Sequence, residues 1–207
     1  MSPRVRTGLL VALPAILYVG TVAIVTAVSS IRTTELTRDP AAQAGFPFYF
    51  GAFSHLGVLL WCAAASICFL AWTLLGGVDR EAARYFLESG LLTALFGLDD
   101  LFLLHEDAFP RLGIDEMVVI GAYGLAGLAY VVRWYARIVG GGASLLVAAV
   151  VFLGLSVLID LWDPPDLDIM FEDGFKLLGI GCWLGHFARA AARALRPRPE
   201  EFLLKSP

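Results

Sequence analysis

Residues 96–110 read FGLDDLFLLHEDAFP and set Asp99, Asp100, His105, Glu106 and Asp107 at the end of an apolar stretch. Paired carboxylates beside an imidazole support two kinds of chemistry. They exchange protons, because burial raises a carboxylate's proton affinity while neighbouring cations oppose the rise. They also ligate divalent transition metals such as zinc, manganese or iron, for which imidazole and carboxylate are suitable donors. Two further stretches carry ionisable groups among apolar residues: FYFGAFSHLGVLLW with His55, and FEDGFKLLGI with Glu172 and Lys176. The candidate proton or cation site is therefore His55, Asp99, Asp100, Glu172 and Lys176. The candidate metal ligands are His55, Asp99, Asp100, His105 and Glu106. Glu172 and Lys176 stand in the favourable i,i+4 order for an ion pair.

The elements that position these groups are apolar. The chain has 207 residues, 58% hydrophobic and only 16% charged, with a mean hydropathy of +0.76. A water-soluble domain carries nearer ~25% charged residues. Six apolar stretches recur, at 8–29, 48–76, 84–106, 116–137, 143–162 and 172–194. Each approaches the ~20 helical residues that cross the hydrocarbon of a bilayer. The expected fold class is all-α, a single transmembrane helical domain over residues 1–207 with about six spans. Pro40 and Pro47 mark the connection 30–47 as a loop, and Pro164 and Pro165 mark 163–171. The first stretch exceeds the length of a signal-peptide core and is expected to stay as a span. Cys62, Cys68 and Cys182 all fall inside apolar runs and match no disulfide or zinc spacing. No phosphate loop or nucleic-acid motif is present, since GGGA at 140–143 lacks the Lys-Ser/Thr of a P-loop.

Lys and Arg are retained on the cytoplasmic side of bilayers. With the N-terminus inside, eleven of the 15 basic residues fall on that side, among them Arg80, Arg84, Arg133, Arg137, Arg189, Arg193, Arg198 and Lys205. Only five of the 19 acids join them: Asp79, Glu81, Glu88, Glu200 and Glu201. Both termini are then cytoplasmic, in an inner membrane, and the acidic clusters meet at the opposite face. Asp107, Asp115, Glu116, Asp163, Asp166 and Asp168 read as solvated loop charges.

Depth singles out a smaller set. On a straight helix reaching 106, Asp99 lies roughly 10 Å below Glu106, and His55 lies a similar ~10 Å below Phe48. Charges at that depth are costly unless paired or wet, so they should face the bundle interior. Helical phase puts Glu88, Asp99 and Glu106 on one stripe, with Asp100 and Asp107 on another about 100° away. On the last span Glu172, Lys176, Gly179, Trp183 and His186 share a face. A polar seam among the second, third and sixth spans is the expected packing.

The combination DDLFLLHE at 99–106, LSVLIDL at 155–161 and EDGFKLLGI with Trp183 resembles uncharacterised bacterial multi-span integral membrane proteins. That resemblance implies a membrane bundle and no particular activity. Ser54–His55, Asp99 or Asp100, and His186 slightly resemble the alkaline ceramidase and progestin-receptor-like membrane hydrolases. This likeness would imply a metal-dependent hydrolase, but the family's Ser-x3-His and His-x3-His are both missing here.

Three functions follow as expectations. The first is binding or translocation of a cation or proton at an acidic, extracytoplasmic-facing site. The second is metal-dependent hydrolysis, with a divalent transition metal as cofactor. The third is an accessory or assembly role, the polar seam serving only to fix helix packing. The partners implied are the lipid bilayer and, within it, a second copy or a larger membrane complex; no nucleic acid is implied.

Overall fold

The computed structural model describes residues 3–162 and 169–196. Asp163, Pro164, Pro165, Asp166 and Asp168, and the tail residues Arg198, Glu200, Glu201 and Lys205, lie outside the described residues. The chain is all-helical, with no strand among the described residues. It divides into two compact units, Met1–Phe50 and Gly51–Pro207.

The first unit holds α1 (Pro3–Val28), α2 (Thr33–Thr37) and α3 (Pro40–Ala44). The connection expected as a loop thus contains two short helices. Pro40 opens α3, where its missing N–H is no loss, and Asp39 accepts from Ala42 N at 2.9 Å as the cap. The Tyr18 hydroxyl donates to the Leu36 carbonyl at 2.9 Å and ties α1 to α2.

The second unit contains α4 (Ala52–Leu75), α5 (Arg80–Phe102), a π-helical turn (Leu104–Ala108), α6 (Phe109–Arg111), α7 (Glu116–Gly140), α8 (Ser144–Trp162) and α9 (Ile169–Ala194). Among the described residues three segments are long and apolar enough to cross a bilayer: Ala52–Leu75, Glu116–Gly140 and Ser144–Leu161. Their outward residues are large and apolar, with Leu59, Leu125, Val132 and Leu158 each more than 60% exposed. Exposed apolar surface on this scale marks contact with lipid or protein rather than water.

Packing depends on small residues. The inward face of α4 carries Gly57, Ala64, Ala65, Cys68 and Ala71, so α5 and α9 both lie close against it. A Cβ on Gly97 of α5 would sit 2.9 Å from Trp61 Cβ, and one on Gly179 of α9 would sit 2.7 Å from Leu153 Cγ of α8. Between these contacts Trp61, Phe96 and Trp183 form an aromatic layer, with ring centroids 5.8–6.0 Å apart.

The third expected span ends earlier than its apolar pattern suggests. Leu103 adopts the left-handed conformation, φ 49° and ψ 47°, and its N–H donates to the Asp99 carbonyl. For a residue with a Cβ that conformation costs about 1–2 kcal/mol. The cost is offset locally, because the turn carries His105 back over the Asp99 carboxylate. A straight helix to 106 therefore gives the wrong depth: Asp99 and Asp100 lie in the last turn of α5.

Candidate functional site

The adjacent carboxylates are buried alike, Asp99 and Asp100 each 7% exposed. One residue apart on a helix, they point about 100° from each other, and they meet different partners. Asp99 faces the π-helical turn and α7. Its Oδ1 accepts from the His105 backbone N–H at 3.1 Å and from the Tyr123 hydroxyl at 2.9 Å. Its Oδ2 accepts from His105 Nδ1 at 2.5 Å. Both oxygens are satisfied, so Asp99 acts as a staple holding the strained end of α5.

Asp100 faces α4 and α9. Its Oδ1 pairs with Lys176 Nζ at 2.5 Å. Its Oδ2 is fully buried and has no hydrogen-bond partner among the described residues. A buried carboxylate oxygen left without any partner is costly, so such groups are met by a protein group, a proton or a water. Beside it lies a cavity of about 10 Å³, lined by Ser54, Gly57, Asp100, Asp173 and Lys176. That is about the size of one water. Gly57 makes the space: a Cβ there would stand 3.3 Å from Oδ2 and 3.3 Å from Ile180 Cδ1.

The expected five-residue site thus resolves into a narrower one. Asp100 and Lys176 are together, and Asp99 belongs to a neighbouring cluster with His105. His55 does not join them. Helix α4 starts at Ala52 rather than Phe48, so His55 sits exposed in its first turn, against Gly51. Glu172 does not form the expected ion pair with Lys176, which reaches across to Asp100 instead.

The five expected metal ligands do not form one set either. Asp99 and Glu106 approach opposite nitrogens of the His105 ring, at 2.5 Å and 3.6 Å. They are therefore bridged by the imidazole instead of converging with it on one point. Asp100 turns away and His55 lies elsewhere. Among the described residues no three His, Cys, Asp or Glu side chains are placed to hold a metal ion.

Other polar groups line α5 towards its N-terminus. The Tyr85 hydroxyl lies 3.1 Å from His186 Nε2, and Ser89 Oγ lies 2.6 Å from the Tyr130 hydroxyl. Thr93 Oγ1 accepts from Trp183 Nε1 at 2.9 Å. Glu88 accepts from Arg133 and from Trp134 Nε1, both at 2.8 Å. The sequence reading missed Tyr85, Ser89, Thr93, Tyr123 and Tyr130. A signal was present for three of them, since Tyr85, Ser89, Thr93 and Asp100 fall within an arc of about 80° on α5. Tyr123 and Tyr130 gave no such signal, because an aromatic hydroxyl in an apolar helix suits the lipid interface equally well.

Residues 9–190 match the family described as Domain of unknown function (DUF8692). The chain belongs to that family. No curated protein and no solved structure matches it. The family brings no activity with it, and the chemistry must be read from the site.

Proposed function

We propose that this member of the family is a six-span inner-membrane protein that binds and exchanges a proton, or in its place a small cation, at Asp100. The single observation carrying the reading is the buried Oδ2 of Asp100, which no side chain or backbone group among the described residues engages, beside a water-sized cavity. A proton suits this geometry better than a larger cation. Lys176 already occupies one side of the carboxylate, and the space on the other side holds about one water.

The six spans would be α1, α4, α5, α7, α8 and α9. Helices α5 and α9 qualify although they carry charges, because Glu88, Asp99, Asp100 and Lys176 each find a partner, as intramembrane ionisable groups must. Basic residues gather at the end holding Arg137 and Arg193, so that end is assigned to the cytoplasm together with both termini. The Asp100 end then faces the extracytoplasmic side. Full translocation would require the Trp61–Phe96–Trp183 layer to part, since it lies between Asp100 and the polar groups farther along α5.

The test is proton exchange in proteoliposomes with an internal pH reporter. Asp100→Asn should abolish it, whereas Asp99→Asn should leave it measurable in whatever fraction remains folded. Exchange that persists in folded Asp100→Asn protein would overturn the reading.

A further inference from the structure

The opposite end of the second unit holds a cavity of about 490 Å³, far larger than the space at Asp100. Its walls come from the N-terminal turns of α5 and the C-terminal turns of α7 and α9. The polar groups facing it are Glu81, Tyr85, Arg137, His186 and Arg193. We propose that this cavity binds a phosphate-bearing anion, held between the Arg137 and Arg193 guanidinium groups.

Three observations support this assignment. Arg193 forms no ion pair among the described residues; its Nη2 would lie 3.3 Å from a Cβ on Gly141, so the guanidinium stands at the cavity wall. Arg137 is engaged only loosely, 3.9 Å from Asp79 Oδ2 and 3.9 Å from Glu81 Oε1. It is steadied by packing, with its Cζ 5.7 Å from the centroid of the Tyr85 ring. Both guanidiniums therefore retain donors for a ligand, and a planar fork of N–H groups matches phosphate oxygens. The floor adds the Tyr85 hydroxyl and His186, which is 2% exposed.

Arginine in the last turn of a helix also offsets the helix dipole, and that accounts for the residue types. It does not account for an open space of this volume between them. Nor does it explain Gly140 and Gly141, which keep the wall of the cavity free of side chains. A cavity of several hundred Å³ with a few convergent polar groups has the dimensions of a small-molecule site. Basic pockets between helix ends suit anionic headgroups. The ligand's source is either the headgroup of an anionic phospholipid or free phosphate, and the chemistry recognised is the same.

The test uses the full chain in nanodiscs of phosphatidylcholine with or without phosphatidylglycerol, and separately with inorganic phosphate. Native mass spectrometry reads the retained lipid, and the thermal midpoint reads phosphate binding. Retention of one phosphatidylglycerol per chain assigns a lipid headgroup. Stabilisation by inorganic phosphate in phosphatidylcholine alone assigns the free anion. In either case Arg193→Gln should weaken binding about tenfold, the scale of one charge-assisted hydrogen bond. Arg189→Gln, which alters an exposed arginine that does not line the cavity, should leave it unchanged. Asp100→Asn should also leave it unchanged, which separates this inference from the proton-binding one. Binding of neither probe, or equal binding by the Arg193→Gln protein, overturns the proposal. Arg193 is exposed, so its variant is expected to fold and the comparison stays informative.

Discussion

The two ends of α5 handle charge in opposite ways. At its C-terminus an aspartate and a lysine are 2.5 Å apart around a space of about 10 Å³. At its N-terminus two arginines border a space of about 490 Å³, and neither is held by a close carboxylate among the described residues. Charges drawn together in a low-dielectric interior satisfy each other and admit little beyond a proton or a water. Charges held apart around open volume keep their hydrogen-bonding capacity for something else. Spacing, more than the number of ionisable groups, separates an internal pair from a binding site.

The sharpest way to break this contrast is Lys176→Met. It leaves Asp100 buried without a counter-charge and should cost about 3 kcal/mol, measured by thermal unfolding in detergent. Asp100→Asn should cost less, because Lys176 is 31% exposed at its side chain and can reach water. Equal costs would mean the pair is less buried than its geometry implies. Asp99→Asn should come next, at about 2 kcal/mol, as it weakens the charge-assisted bonds that hold His105 over the strained Leu103. Proteolysis near residues 103–108 should then rise before the rest of the chain unfolds.

Gly57→Ala tests the small cavity with less damage. A methyl group placed 3.3 Å from Asp100 Oδ2 should cost about 1 kcal/mol and slow proton exchange more than it lowers the thermal midpoint. Equal exchange rates would show that the space beside Oδ2 is not used. The smallest effects should come from Arg193→Gln and His55→Ala. Both side chains are exposed, and each change should stay within about 0.5 kcal/mol in thermal unfolding. A large loss of stability in Arg193→Gln would make the basic end an internal pair like the acidic one, and the contrast would disappear.

Much of this arrangement was legible residue by residue. The phase of α5 already separated Asp99 from Asp100 and aligned Glu88 with Asp99, and both of the latter do meet α7. The face shared by Lys176, Trp183 and His186 was equally readable, and all three contact α5. His55 lies nearer the helix end than a count from Phe48 implies, because α4 begins only after Gly51, at φ 69°. Asp99 departs from its expected depth for a related reason. Nothing in LFLLHED signals that a leucine will take a left-handed conformation, since the features that offset its strain come from Tyr123 and from the fold of the turn itself.

By itself, the sequence determined the all-helical class, the apolar lengths and the faces on which polar groups fall. Those properties follow from composition and from a period of 3.6 residues, both local to each segment. Only the tertiary structure decided that Lys176 pairs with Asp100 and not with Glu172, and that Arg137 and Arg193 border one cavity. The reason is packing distance. Local spacing offered Lys176 a partner one turn away, but the small residues of α4 bring α5 and α9 close enough for a buried carboxylate to take its place. That buried pair gains more from the attraction because less water screens it.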